Sequence, residues 1–289
     1  MASVVIAAHN EEAVIGTCID ALTAQLSPQP IEVIVSANGC TDRTAQVAAE
    51  RNVRVLDRTE SGKAAALNAG EAVAKSFPRI YLDADIVVPP SGLERILDVL
   101  DSSPQIAAAV PLRRIDTTGR SLMVRAYFAI NERLPAFRNG LFGRGMIVLT
   151  EAGRRRFSEF PALIADDLFL DSLFSSDEKC EVRTVEVVVG APYGTRDLLN
   201  RLVRVRRGNA QMRAAASNGD IETRVRSSDK WSWLRDVVFR EPRLVFAAVP
   251  YVSITVLASL LARRPNRNGW GRDLSTRTPR AGDNEGNSR

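Results

Sequence analysis

One histidine and three cysteines are few for a chain of 289 residues. With His9 alone, histidine-ligated zinc centres and Ser-His-Asp triads are close to excluded, and the balance tips toward carboxylate chemistry. Cys18, Cys40 and Cys180 lie far apart with no CxxC or other metal spacing. A disulfide framework is therefore not expected, and a reducing, cytosolic setting is. The first apolar run, residues 3–8, is only a strand's length, so no signal peptide is expected there. The chain also lacks the interleaved aromatics and motifs of a nucleic-acid binder.

Charge is present but unevenly placed. Residues 1–195 carry 20 basic and 25 acidic side chains, whereas residues 196–289 carry 19 and 9. The computed pI of 9.4 thus belongs to the C-terminal third, which suits anionic partners such as phosphates or a membrane surface.

The first hundred residues alternate strand and helix. Strands are expected at 3–8, 31–36, 53–56 and 79–82, and helices at 11–24, 43–51 and 62–76. In the first helix Val14, Ile15, Cys18, Ile19 and Leu22 recur at i, i+3, i+4 spacing, one buried face. This rhythm predicts a mainly parallel sheet with helices on both faces. Ligands bind such sheets beyond the carboxyl ends of the strands. Residues 8–11, 37–42 and 83–85 all fall at those ends. Further on, strands are expected at 106–111, 146–150 and 181–189, and helices at 121–137, 166–174 and 196–213.

Asp83 and Asp85 leave the end of the fourth strand separated by one residue, so both point the same way. Ionised carboxylates there are costly unless they meet a cation or a hydrogen-bonded ligand. Oxygen donors of this kind suit Mg²⁺ or Mn²⁺ carrying a diphosphate.

The C-terminal part differs in kind. Residues 231–239 look amphipathic, and residues 244–262 contain no charge. As a helix this stretch is roughly 28 Å long, close to the roughly 30 Å hydrocarbon core of a bilayer. Arg243, Arg263 and Arg264 bracket it. Pro250 and the Ala, Ser and Thr content favour an interfacial segment, so spanning, interfacial and buried readings all stay open.

Taken together, residues 4–12 (VVIAAHNEE), 38–44 (NGCTDRT), 62–70 (GKAAALNAG), 81–85 (YLDAD) and 165–168 (ADDL) resemble the family-2 glycosyltransferases in order and spacing. The resemblance covers about residues 3–215. It implies the GT-A fold, an α/β Rossmann-like architecture, and inverting transfer from a nucleotide-diphosphate sugar of UDP or GDP type to a hydroxyl acceptor. The division it implies is a catalytic domain over 1–215, a helical membrane-associated segment over 216–264, and a polar, disordered tail over 265–289.

The resemblance also implies roles. Ala8, Asn10 and Glu11 would hold the nucleoside, Asn38 a base edge, and Lys63 a phosphate beside the free N–H groups of a helix N-terminus. Asp83 would meet the ribose or share the metal, with Asp85 binding it directly. Asp167 would take the acceptor proton, positioned by Asp166. Helix capping competes for Asn10, Glu11 and the Asp166–Asp167 pair.

Several positions depart from the family pattern. Ala7 and His9 stand where Pro and Tyr are common, and Ala37 and Asn38 replace two aspartates, leaving the base undecided. Arg201, Arg204, Arg206 and Arg207 replace a Gln-Arg-Trp signature, which argues against a processive polymerase. These arginines are candidates to clamp the diphosphate, and residues 143–145 to approach the donor sugar. A lipid-linked acceptor and a place at the inner face of the cell membrane follow from the apolar segment. The rivals are a nucleotidyltransferase, whose glycine-rich basic loop is absent after the first strand, and a non-catalytic nucleotide-sugar module.

Overall fold

The computed structural model describes residues 1–25, 30–137, 140–163, 165–219 and 229–264. Its centre is β1 (Ala2–Ala8), buried along almost its whole length. A continuously apolar strand of this kind belongs inside a sheet covered on both faces. It pairs in parallel with β2 (Ile31–Asn38) and β4 (Arg79–Asp83), and β2 pairs in parallel with β3 (Arg54–Arg58). Beyond β4 the sheet continues through β6 (Met146–Leu149), β5 (Ala108–Asp116) and β7 (Lys179–Gly190), giving the order β3-β2-β1-β4-β6-β5-β7. β6 runs antiparallel to both neighbours, while β5 and β7 are parallel.

The strands' period of two divides the core. Val4 and Ile6 pack with α1 (Ile15–Thr23), α4 (Gly92–Ser102) and the C-terminal elements, through Ile15, Ile19, Leu93 and Ile96. Val5 and Tyr81 face the other way, toward α3 (Lys63–Val73) and α7 (Asp166–Ser172), through Leu67, Phe169 and Leu170. α2 (Thr44–Ala49) lies between β2 and β3 in the chain, and the short α6 (Glu151–Arg154) follows β6.

Three expectations change. The first helix starts at Ile15 rather than residue 11, because residues 9–12 are drawn into the loop after β2. The helix expected at 121–137 is α5 (Leu122–Asn131) followed by a separate 3₁₀ turn, Pro135–Phe137; Pro135 has no N–H to continue the ladder. α4 was not anticipated, although Leu93, Ile96, Leu97 and Leu100 carry helical spacing.

The long α8 (Thr195–Ser217) bears the expected arginines. A wide helical turn at Trp233–Val238 and a 3₁₀ turn at Pro242–Leu244 lead into α9 (Val245–Ala262). α9 rests by one face on α5 and α8. Tyr251 stacks on Tyr127 at 5.2 Å between centroids, and Ile254 and Ala258 are buried beneath it. Arg207 of α8 donates to the carbonyls of Leu261, Ala262 and Arg264, closing the C-terminal end of α9. The opposite face, Phe246, Val249, Val256, Leu257 and Leu260, is exposed. Residues Pro242–Ala262 are long and apolar enough to cross a bilayer, with a mean hydropathy of 2.2. The expected disordered tail, 265–289, lies outside the described residues.

Candidate active site

The strand-end loops after β1 and β2 are laced together. Asn10 takes a left-handed backbone (φ 56°) and clips its carboxamide to Thr41, accepting from the Thr41 N–H at 2.8 Å and donating to Oγ1 at 3.1 Å. The Glu11 N–H donates to Thr44 Oγ1 at 2.7 Å, and the Glu12 N–H to Asp42 at 3.1 Å. Asn10 is thus a bridge between loops and not the cap of α1, whose capping residue is Val14. His9 Nδ1 donates to the Asn38 carbonyl at 2.5 Å. The Asn38 carboxamide, 2% exposed, donates to the Ala8 carbonyl at 2.8 Å and accepts from the Gly62 N–H at 3.0 Å. Ala8, Asn38 and Gly62 are held as one unit, and Asn38 spends both ends of its side chain on backbone.

Lys63 opens α3 and points into the gap between β4 and α7. Its ammonium lies 2.9 Å from Asp83 Oδ1 and 3.0 Å from Asp166 Oδ2. Burial pulls its pKa down, but Asp166 and Asp83 outweigh that and hold it above the ordinary lysine value. Lys63, expected beside a phosphate, forms a cationic bridge between Asp83 at the end of β4 and Asp166 at the start of α7. Asp167 is turned the other way, its Oδ2 accepting from the Gly143 N–H at 3.0 Å. Burial first, and then Asp166, push its carboxyl up to about 6, with Lys63 opposing. A carboxylate so placed is poised to take a proton near neutral pH.

Residues 143–145 join these groups. Gly143 and Gly145 both adopt φ near +70° (70° and 69°), a region glycine enters without strain. The Gly145 carbonyl accepts from the Asp83 N–H at 2.8 Å. A Cβ at Gly145 would sit 2.4 Å from Ile86 Cγ1 and 3.5 Å from Asp83 Oδ2, so the glycine keeps the space beside that oxygen open. Arg144, between them, is buried and paired with Glu181 at 2.6 Å.

Asp85 is exposed at the mouth. Cys18 lies beneath, its thiol donating weakly to the Asp83 carbonyl at 3.9 Å. Burial, then the charges of Asp85, Asp83 and Glu11, push that thiol up to about 12. Among the described residues no three His, Cys, Asp or Glu side chains could hold a metal together. Asp85 and the free oxygen of Asp83 do fit a hard cation completed by phosphate oxygens, the usual arrangement for Mg²⁺.

The structure therefore brings Lys63, Asp83, Asp166 and Asp167 into one cluster, with Asp85 and Glu11 at its edge and Ala8, Asn10 and Asn38 in the loops alongside. The sequence reading missed the clip residues Thr41, Asp42 and Thr44, and the part residues 143–145 play in seating Asp167. The paired glycines were the available signal for the second. For Cys18 the helical spacing marked only burial.

Residues 3–158 match the profile described as glycosyl transferase family 2. An uncharacterized glycosyltransferase of Nostoc sp. is 28% identical over 126 residues, 42% of this chain and 39% of the relative, so the chain aligns with about two fifths of that protein's length. Among solved structures, the mannosyltransferase PcManGT of Pyrobaculum calidifontis, in complex with GDP-Man and Mn²⁺, superimposes with a TM-score of 0.60. It is 19% identical, over 92% of this chain and 76% of that one. S. aureus TarS 1-349 in complex with UDP-GlcNAc gives 0.52 at 15% identity, over 92% and 93%. At such identities the likeness is one of fold.

Proposed function

The chain belongs to glycosyl transferase family 2, and on that footing we propose that it transfers one sugar, with inversion, from a nucleotide-diphosphate donor to a hydroxyl acceptor. The observation that carries this reading is the Lys63 bridge, which links the strand-end acids that suit a donor to the acidic pair that suits an acceptor. A nucleotidyltransferase needs no such second acidic pair, and a non-catalytic module has no use for a half-buried carboxylate raised to about 6.

In this mechanism the laced loops after β1 and β2 seat the nucleoside against Ala8, Asn10 and Glu11. Asn38, occupied by backbone, shapes that pocket. Asp85 and Asp83 Oδ2 would hold Mg²⁺ or Mn²⁺, which when bound supplies Lewis-acid stabilisation of the departing diphosphate. Asp167, ionised and fixed by the Gly143 N–H, accepts the acceptor hydroxyl proton as its oxygen attacks the anomeric carbon. Asp166 and Lys63 hold Asp167 and Asp83 in register, and Lys63 lies within reach of a donor phosphate when one arrives.

The reading extends to residues 1–215 as the catalytic unit, and to 216–264 as a segment that attaches it to the inner, cytoplasmic face of a cell membrane, where the acceptor is lipid-linked or part of an envelope polysaccharide. The exposed apolar face of α9 supports this.

Calorimetric titration with UDP and GDP, each with Mn²⁺ and with EDTA, tests the donor half. The expected result is metal-dependent binding of one nucleotide, lost in Asp85→Ala. Equal binding in EDTA would remove the metal from the reading, and no binding by folded protein would remove the donor.

A further inference from the structure

Two further charges lie buried one turn along α7 from Asp167. Asp171 Oδ1 accepts from the Leu141 N–H at 2.9 Å. Lys179, the first residue of β7, donates to the same oxygen at 2.9 Å and to the Asp171 carbonyl at 3.1 Å. The two side chains are 6% and 3% exposed. An ion pair this deep contributes little net stability over an apolar pair of similar volume, because desolvation offsets its attraction. Its value lies in the backbone it fixes.

That backbone is the loop of residues 140–145. Asp167 and Asp171 stand four residues apart, on one face of α7. Their carboxylates take two N–H groups of the loop that lie two residues apart, Gly143 at 3.0 Å and Leu141 at 2.9 Å. Leu141 is itself buried, packed in the same apolar cluster as Leu168 and Phe169 of α7. On the strand side Arg144 donates to the Gly140 and Pro111 carbonyls, and Arg113 to that of Gly143. Between these holds Gly143 sits at φ 70°, a conformation glycine enters and leaves at little cost. The direction of its N–H is therefore set by what grips the loop on either side. Asp171 is the grip two residues back.

Asp167 is the group that this arrangement serves. Its other oxygen already accepts from the Leu168 N–H at 2.8 Å, so Gly143 is the tie from that carboxylate to the loop. Lys179 neutralises Asp171 where it stands, so the seat brings an acceptor close to Asp167 without adding net charge to an acidic turn. We propose that Asp171, neutralised by Lys179, is a positioning residue for the transfer: by fixing Leu141 it aims the Gly143 N–H at Asp167. This rests on the reading of Asp167 as the base and adds a residue to it.

Two charge-matched double variants of the full chain test it. Asp171→Asn with Lys179→Met keeps an oxygen for the Leu141 N–H. Asp171→Leu with Lys179→Met removes it, and both forms lose the same pair of charges. Three quantities are read: amide exchange at Leu141 and Gly143, the carbon-NMR titration of Asp167, and release of nucleotide from GDP-mannose and UDP-glucose with Mn²⁺ and water as acceptor. The Asn form is expected to stay within about threefold of wild type in exchange and release. The Leu form should exchange both amides ~10-fold or more faster, and release nucleotide ~10-fold more slowly at an unchanged donor KM. Its Asp167 should titrate at higher pH than in the Asn form, because the Gly143 N–H is one of the influences that hold that carboxyl down. Two forms that agree in all three quantities would overturn the proposal, as would a Leu form whose faster exchange leaves the titration where it was. A donor KM that rises as kcat falls would overturn it too, assigning the pair to support of the fold at large. If the Leu form does not fold, Asp171→Ala with Lys179→Met is read in its place. Exchange and titration need no acceptor, so they decide the part of Asp171 whatever the rate of release. Asp167→Asn, run alongside, separates the two readings. Normal release there removes the base; lost release there, with two matching double variants, removes only Asp171.

Discussion

Asp167 lies under opposing influences whose balance can be measured. Burial and the Asp166 charge raise its pKa from 3.8 to about 6, and Lys63 holds it from rising further. A base must be ionised to act, so activity is full above that pKa and lost as pH falls through it. The kcat/KM profile is expected to show an acid limb near pH 6, since that parameter reports the free enzyme. Lys63→Met removes the opposing cation, and the limb should move to higher pH; an unmoved limb would detach Lys63 from the base. Asp167→Asn keeps an oxygen for the Gly143 N–H while abolishing proton acceptance. Transfer should fall by ~10²–10⁴-fold, with nucleotide affinity retained. A variant that turns over normally would shift the role of base elsewhere.

At the scale of elements, the loop of residues 143–145 decides whether the two acidic pairs face one another. Gly145→Ala would force a side chain onto a φ of 69° and into Ile86. The expected cost is about 2–4 kcal/mol, from left-handed strain and overpacking together, read as a fall in the denaturant midpoint. Gly143→Ala carries the same left-handed strain but meets only the tip of Arg113, at 3.2 Å, and the Phe137 ring edge, at 3.5 Å, so it should be milder for stability while still disturbing the seat of Asp167. A wild-type midpoint in Gly145→Ala would show that the loop yields freely. These relations were only partly legible in the sequence. Short continuous apolar runs foretold β1, β2 and β4 and the strand-end placement of the site, because burial on both faces leaves a local imprint. The contacts of Lys63 with Asp83 and Asp166 left none, since they depend on how α7 returns to the sheet through the 82 residues between those two acids. Asn10 looked like a cap because its residue type suits one; the hydroxyl and N–H of Thr41, 31 positions away, claimed it instead. The antiparallel β6 was equally hidden, as a four-residue apolar strand reads the same in either direction.

For the whole molecule, the sequence left open whether the C-terminal helix crosses a membrane, lies along one or packs as a core helix. Hydropathy sums composition without regard to neighbours, so it could not separate these. The structure adds neighbours: α9 is tied to α5 through Tyr127 and Tyr251, and to α8 through Arg207. Crossing a bilayer would require releasing that face. Lying in the interface requires only that the outward stripe sink among the acyl chains, with Arg243, Arg263 and Arg264 at the headgroups. Phe246 is 86% exposed and Leu257 44%, so replacing them costs the fold little. Each apolar side chain moved from water into lipid contributes about 1.5–3 kcal/mol when fully buried. The double variant Phe246→Glu, Leu257→Glu should therefore lose ~10²-fold or more in partitioning to anionic vesicles, followed by flotation, while its melting temperature stays close to wild type. High salt should weaken the wild type's binding without abolishing it, because screening reaches the arginines but not the stripe. Retained flotation in the double variant would mean that some other surface meets the membrane. If that retained binding resists high salt and yields only to detergent, the reading is instead that α9 leaves α5 and α8 and inserts.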